Sequence, residues 1–370
     1  MLNKSPIDPK AFAERLGSWT RTRGPEDDVV VTSRVRLARN LSGFRFRTRI
    51  GADEAQAVCD SMLAALDASP LDGDTHWVGV GETPVLLRLL LRERYLCSRD
   101  LAPAGERDDG LPGRAVAFGV GEDLSVMVNE EDHLRLQALA PGLDLEGAMG
   151  RVTALDRSLE QLVDFAFTKE LGYLTGCPTN VGTGMRASVM LHLPALGMVR
   201  AELEKVIRSA QRTGLAVRGI YGEGSRAVGD LYQISNQVTL GRSEEQLVGD
   251  LAALIPSILE FERRVRGALL EERGDQLRGR IEAARELLAS TRSIDTDSAL
   301  TALSMARLGD LLGLGTGLGQ ADFGRLVIQV QKGHVQALGP SDEALEGGEM
   351  IAPSLRDSWR AAYLRKLFGH

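Results

Sequence analysis

The sequence predicts an α+β fold: an antiparallel sheet flanked by helices, followed by a helical C-terminal region. Two observations predict it. Alternating apolar stretches occur in hairpin-like groups between amphipathic helices, without the regular βα alternation of a doubly wound sheet. Near residue 258 the pattern changes, and helical spacing takes over through Phe261, Val265, Leu269, Leu277, Ile281, Ala284 and Leu288. The expected division is an N-terminal helix and connector over 1–26, a sheet-bearing domain over 27–258 and a helical domain over 259–370.

Taken in order, "PKAFAERLGSWTRT" (9–22) reads as a helix before the polar connector "RGPEDDV". "VVVTSRVRLARN" (29–40) opens with β-branched residues in alternation and reads as a strand. "GADEAQAVCDSMLAALDAS" (51–69) has the apolar spacing of an amphipathic helix. "HWVGVG" (76–81), "AVAFGVGEDLSVMVNEE" (115–131) and "ASVMLHLP" (187–194) read as strands, with "GEDL" as a hairpin turn. Helices are expected over 154–174 and over 197–214, the second closed by Gly214. "LAVRGIYGEG" and "LYQISNQVTLG" are two strands around a Gly-rich loop. Further helical patterns cover 298–313 and 354–368, and "RLVIQVQ" (325–331) has the look of a strand.

A chain of 370 residues, 43% of them hydrophobic, is long enough to build two cores. A net charge of −7 gives no ground for nucleic acid or an anionic membrane as partner. No apolar run is long enough to span a bilayer, and "MLNKSPIDPKAF" lacks the apolar segment of a signal peptide. Three widely spaced cysteines, Cys59, Cys97 and Cys177, fit a reducing cytoplasm and make neither a disulfide frame nor a zinc motif.

The usual phosphate-binding signatures GxxxxGK[ST] and GxGxxG are missing, as is HExxH. Arginines stand in their place. "SRVRLARNLSGFRFRTR" (33–49) holds six and no acid. Arg34 and Arg36, two apart on a strand, share one face. Such a pair either solvates a surface or forks phosphate oxygens bidentately. Glu130, Glu131 and Asp132 crowd together before Arg135. They are a solvated strand end, a metal site, or paired carboxylates for a cationic nitrogen substrate. Cys177 in "GCPTNVGTG" is a small buried side chain or a thiol in a loop of N–H donors. "GIYGEGS" (219–225) is a plain turn or a flexible carrier for Glu223.

Five of these stretches together resemble the ATP:guanido phosphotransferases in order and wording. They are "SRVRLARN" (33–40), "NEEDHLR" (129–135), "CPTNVGTGMRASVMLHLP" (177–194), "RGIYGEGS" (218–225) and "LYQISNQVTLG" (231–241), within a similarity running over 27–258. Within that family the chain resembles the branch of the bacterial protein-arginine kinases. "SRVRLARN" lies too near the start for the extra helical domain of the kinases of small guanidino compounds. "RDSWRA" (356–361), otherwise an amphipathic helix with charges outside, is similar to the phosphoarginine-binding motif RDxxRA of that branch.

The resemblance implies transfer of the γ-phosphoryl of ATP, with Mg²⁺, to arginine side chains of proteins. Glu131 would be the base, Glu223 a second carboxylate on the guanidinium, and Cys177 an auxiliary anion. Arg34, Arg36, Arg135, Arg186 and Arg218 would clamp the phosphates. Ser33 and Val35, with the backbone around Ala187, Ser188, Val189 and Met190 and around Gly219, Ile220, Tyr221 and Gly222, would complete the nucleotide site. Tyr95 in "ERYLCS" stands where relatives carry a base-contacting histidine, and Gly176 where they carry a serine. Glu130 and Asp132 would order magnesium waters. Arg356, Asp357 and Arg360 would hold phosphoarginine. Burial beside other acids is expected to raise the proton affinity of Glu131. Implied partners are substrate proteins, a Clp-type unfoldase–protease, a transcriptional repressor and a second copy of the chain. Two other readings stay open: a kinase of free arginine or another small guanidino compound, and a non-catalytic phosphoarginine-binding adaptor.

Overall fold

The computed structural model describes residues 2–69, 71, 73–104, 110–219, 227–315, 317–346 and 348–369. Strands and helices follow in chain order as β1 (Leu2–Asn3), α1 (Pro9–Glu14), α2 (Ser18–Arg21), β2 (Val30–Arg39), α3 (Ala52–Ala68), β3 (Thr75–Gly79), α4 (Val85–Glu93), β4 (Ala115–Gly119), β5 (Leu124–Val128) and β6 (Leu134–Pro141). Next come α5 (Leu145–Glu160), β7 (Phe167–Thr168), β8 (Gly172–Tyr173), β9 (Met185–His192), α6 (Pro194–Met198), α7 (Arg200–Arg212), β10 (Leu215–Gly219) and β11 (Leu231–Asn236). The remainder is helical: α8 (Glu244–Ser290), α9 (Thr296–Leu311), α10 (Gln320–Gln329), α11 (Lys332–Ala337), α12 (Glu343–Glu346) and α13 (Pro353–Phe368).

Nine strands form one sheet in the order β1-β3-β4-β5-β6-β2-β9-β11-β10. All its pairs are antiparallel except the edge pair β1–β3, so the sheet is mixed where a purely antiparallel one was expected. The fold class stands: a helix-flanked sheet followed by helices.

Alternation gives the sheet two unlike faces. On one face Val35, Leu37, Leu136, Ala138, Ala187, Val189, Leu191 and Ile234 are buried in the main core. Helix α5 packs on β2 and β6, and α8 on β9 and β11. On the second face, over β4 and β5, Val116, Phe118 and Met127 share a core with Leu87, Leu90 and Leu91 of α4. Strands covered on both sides read as continuous apolar runs, which is the pattern of β4 and β5. Beyond them, along β6, β2, β9 and β11, the second face carries a polar stretch beside Leu139, Met190 and Leu231, which other helices cover.

Several predicted elements differ. The 9–22 helix is two short helices, because Arg15 is extended and Gly17 packs against Glu122, where a Cβ would meet the Glu122 Cβ at 2.8 Å. The helix expected over 154–174 starts earlier and ends at Glu160. Asp144 caps its N-terminus through the Gly147 N–H, 2.9 Å away. The rest of that stretch leaves the helix to pair elsewhere. Ser42 N donates to Asp164 O, Ala166 N donates to Asn40 O, and Gly172 turns the β7–β8 hairpin at φ +75. Strand β6 and helix α4 were not anticipated. "RLVIQVQ" is helix α10 up to Gln329; Leu326 and Val327 share a core with α9 and α13, and Ile328 one with Trp19 of α2 and Leu139 of β6.

Residues 258 and 259 lie inside α8, a helix of 47 residues that contains Pro256 and breaks helical geometry at Arg273 (φ −137, ψ 31). The C-terminal helices share a second core with the sheet, in which Val31, Met190 and Leu231 meet Leu303, Phe323, Leu326 and Leu364. Glu262 of α8 also reaches the sheet layer. Its carboxylate accepts hydrogen bonds from the backbone N–H groups of Ala195 (3.1 Å) and Leu196 (2.9 Å) at the start of α6.

Candidate active site

Strand register brings the arginines together. Directly opposite residues of an antiparallel pair project to the same face. Arg36 of β2 faces Gln137 of β6 on one side and Arg186 of β9 on the other. Arg34 faces Ser188, and Ala38 faces Arg135. Ser188 faces Ser235 of β11, Met190 faces Gln233, and Gln233 faces Arg218 of β10. Arg34, Arg36, Arg135, Arg186 and Arg218 therefore all project from the open face of one sheet. A cavity of about 540 Å³ lies over it, lined by Arg36, Arg135, Arg186 and Arg218 with Asp100, Glu130, Glu131, Cys177, Thr179 and Asn180. Arg34 lies next to it in a small cleft with Tyr95, Ser188 and Gln233.

The crowded acids occupy the β5–β6 turn, and each has its own partners. Glu130 is buried, and its Oε1 accepts from Arg135 Nη1 (2.7 Å) and Ser98 Oγ (2.6 Å). Its Oε2 accepts from Glu131 N at 2.9 Å. Glu131 Oε2 accepts from Arg135 Nη2 (2.8 Å) and Asn180 Nδ2 (3.4 Å). Asp132 is fully buried, and its Oδ1 accepts from Asn40 Nδ2 (2.7 Å) and Gly176 N (2.6 Å). Burial pushes the Asp132 carboxyl above the usual carboxylate range, against the pull of the Gly176 and Asn40 donors. Asn129 holds the turn from behind, donating to Ala55 O and Gly113 O at 2.8 and 2.9 Å.

Asp132 thus ties the acid turn to the loop that carries Cys177. In that loop Thr175 Oγ1 donates to Cys177 O (2.7 Å), and Cys177 Sγ lies 3.0 Å from Thr179 Oγ1. Asn236 of β11 fixes the start of β9 by accepting from Ala187 N (2.8 Å) and donating to Met185 O (3.0 Å).

Two arginines of this face, Arg34 and Arg36, lie buried beside like charges. Burial, then Arg34, Arg135 and Arg186, push Arg36 well below its ordinary pKa, with Glu130 opposing. Burial is also the main cause that lowers Arg34 to about 10, with Arg186 and Arg135 adding to it and Tyr95 opposing. Like charges held together in a poorly solvated site favour a multiply charged anion.

The side chains of several expected site residues point elsewhere, which for Ala187 and Val189 leaves the expected backbone contact untouched. Ser33, Val35, Ala187 and Val189 alternate onto the opposite face. Val35, Ala187 and Val189 belong to the main core. Ser33 Oγ donates to Gly142 O (2.8 Å) and accepts from Asp144 N (3.1 Å), bracing the start of α5. Asp132 does not line the cavity; burial withdraws it from the solvent side where a magnesium water would sit. Glu131 is 44% exposed, not buried as expected. Tyr95 takes φ +60 and its ring lies 5.7 Å from that of Trp19. Gly219 ends β10, while Ile220, Tyr221, Gly222 and Glu223 lie outside the described residues. Arg360 is fully buried: its Nε donates to Val330 O (2.6 Å), and its Nη1 to Ile294 O (2.8 Å) and Asp357 Oδ1 (2.6 Å). Burial makes it a bolt between helices, not an open phosphate ligand. Arg356, half-buried, donates to Ile351 O. Asp100, Ser98, Asn180 and Asn236 were not singled out. Asn180 had a signal in its "CPTNVGTG" loop; the others are polar residues whose use depends on tertiary placement.

The description "ATP:guanido phosphotransferase, C-terminal catalytic domain" matches residues 87–265, and "Protein-arginine kinase McsB C-terminal domain" matches residues 274–370. A protein-arginine kinase of Halothermothrix orenii is 40% identical over 354 residues, 95% of this chain and 96% of that one. One of Bacillus subtilis is 38% identical over 355 residues, 95% and 93% of the two chains. Among solved structures, the duplicated taurocyamine kinase of Schistosoma mansoni aligns with TM-score 0.57 and 26% identity, over 68% of this chain and 35% of that one. Lombricine kinase shares the fold, with TM-score 0.57 over 72% of this chain and 74% of that one.

Proposed function

The chain belongs to the ATP:guanido phosphotransferase family, and from that premise we propose that it transfers the γ-phosphoryl group of ATP to arginine side chains in proteins. The observation that carries this reading is the arginine-lined cavity with Glu131 at its edge, in a chain that matches protein-arginine kinases along nearly its whole length. Five guanidinium groups on one sheet face suit a triphosphate, and Arg34, Arg36, Arg186 and Arg218 can fork its oxygens bidentately. They replace the Gly-rich loop that other nucleotide enzymes use.

The acceptor nitrogen attacks the γ-phosphorus, the P–O bond to the ADP leaving group breaks, and one guanidinium proton must leave. Arginine has a pKa of about 13 and free glutamate about 4.3, so full transfer before attack would cost roughly 12 kcal/mol. Glu131 therefore takes the proton as the P–N bond forms, and a free neutral guanidine never accumulates. Arg135 holds both Glu130 and Glu131 and so fixes the carboxylate against the phosphate clamp. The remaining work is alignment and charge neutralisation by Arg34, Arg36, Arg186 and Arg218.

Magnesium fits this donor set only with the nucleotide. No group of three or more His, Cys, Asp or Glu that could hold a metal exists among the described residues. The cavity instead offers carboxylate oxygens of Asp100 and of the Arg135-paired Glu130 and Glu131, suited to an ion that keeps several waters and binds mainly to phosphates. Glu130 would hold such a water, and the ion would screen the phosphate charge. Phosphorylated proteins would then pass to a Clp-type unfoldase–protease, or a repressor would lose its function.

ATP consumption with a denatured protein, with free arginine and with neither tests the reading. Consumption that requires the protein supports it. Turnover with free arginine alone would instead identify a kinase of small guanidino compounds, and no turnover with either would identify an adaptor.

A further inference from the structure

We propose that Phe167, Leu171, Val238 and Leu240 form a docking surface for the polypeptide that flanks the target arginine, with apolar flanking residues as its ligands. This rests on the reading that the acceptor is an arginine within a protein. Eight large apolar side chains are exposed among the described residues, and these four, 46–61% exposed, belong to two short segments that flank the 178–184 loop. Tyr173 N, in the hairpin, donates to Gly182 O at 2.8 Å. A Cβ on Gly172 would lie 2.5 Å from Gly182 O, and one on Gly182 would lie 2.9 Å from Leu240 Cα. The β7–β8 hairpin, the 178–184 loop and the 237–241 segment are therefore stacked backbone against backbone.

That stack adjoins the cavity. Thr239 Oγ1, between Val238 and Leu240, lies 2.9 Å from the carbonyl oxygen of Thr179 and 2.6 Å from that of Val181. Thr179 and Asn180 line the cavity, and Asn180 bonds Glu131. The hairpin is also held from behind. The Phe167 ring stands edge-on to Tyr173 at 5.3 Å, and the guanidinium of Arg39 lies 3.4 Å from the centre of the Tyr173 ring. Arg39 in turn is fixed to Asp156 by a buried pair at 2.9 and 2.7 Å.

Four apolar side chains kept in water on a rigid support have the character of a binding surface. An arginine that reaches Glu131 from a protein brings its own chain to the cavity mouth. An extended chain advances roughly 3.3 Å per residue, so residues close to the arginine in sequence must lie along this rim. A free guanidino compound has nothing to place there.

The test uses two peptides with one arginine each, one flanked by Gly and Ser and the other by Leu and Val, on wild type and a Val238→Asp/Leu240→Asp variant. Wild type is expected to show a KM about tenfold lower for the apolar peptide at similar kcat, about 1.4 kcal/mol. The variant should lose that difference and leave the Gly/Ser peptide unchanged. Phe167→Asp, on the other segment, should reproduce the loss. Equal KM values on wild type, or a preference that survives both variants, would overturn the proposal. So would a rise in KM for both peptides and ATP alike, or a change in sedimenting mass showing that a second copy covers the patch. Wild type that phosphorylates neither peptide nor any protein would instead sink the kinase reading itself.

Discussion

Arg36 and Arg186 are direct cross-strand partners at the centre of the sheet, two like charges in register on β2 and β9. Such a pair is destabilising in itself. It persists at the floor of a cavity that also holds Arg135 and Arg218.

Replacing Arg186 by Met is therefore expected to stabilise the ligand-free protein by up to about 1 kcal/mol, the size of a cross-strand pair term. The same change should lower kcat by roughly a hundredfold or more through lost charge stabilisation of the transferring phosphoryl group. Thermal unfolding with and without Mg-ATP checks both halves: the midpoint rises without nucleotide, and the nucleotide-induced shift shrinks.

Asp132→Ala should act through the neighbouring loop. It leaves the Gly176 N–H without its acceptor and the Asn40 amide with only the Leu174 carbonyl, at a cost of about 1–3 kcal/mol. Because Gly176 precedes Cys177, kcat is expected to fall while ATP affinity, set by the strands, is kept. Nucleotide titration beside a turnover assay separates the two.

Glu262 gives a pH signature. Burial raises its carboxyl above 4.5, although Arg266 and the Leu196 and Ala195 N–H groups pull the other way. As pH rises from 4.5, the unfolded chain releases this proton before the folded one does. The stability Glu262 contributes is therefore complete below that value and is lost as pH rises through the folded pKa. The penalty of Glu262→Gln should be about 1–3 kcal/mol near pH 5 and smaller at pH 7. Urea unfolding of both proteins at the two pH values measures it.

Arg360→Ala should destabilise the C-terminal helices by about 3 kcal/mol, since it removes three hydrogen bonds of a buried cation. Lysine cannot span the three acceptors and should not rescue it. Unchanged stability with lost phosphoarginine binding would restore the ligand role expected from the RDSWRA motif.

The sequence exposed the arginine face because a strand's period of two is visible in Arg34 and Arg36 alone. The fold class was legible for the same reason. Strand β6 was hidden, since "LRLQALAP" mixes an arginine and a glutamine on the cavity face with leucines and alanines on the other. The end of α5 was hidden because "LVDFAFTKELGYL" keeps helical spacing while its backbone pairs with residues 40 and 42. Burial of Asp132 and Arg360 depends on partners distant in sequence: Asn40 and Gly176 for one, Ile294 and Val330 for the other. Local composition carries no trace of such pairings.

The most direct measurement is mass spectrometry, kept free of acid to preserve P–N bonds, on a denatured protein incubated with Mg-ATP and either wild type or Glu131→Gln. Wild type should add phosphate to arginine side chains. The variant should lose that product by a factor of about 10²–10⁴ and still bind nucleotide. Phosphoarginine formed equally well by the variant, or phosphate found on serine or threonine in place of arginine, would contradict the assignment of Glu131 and of the reaction.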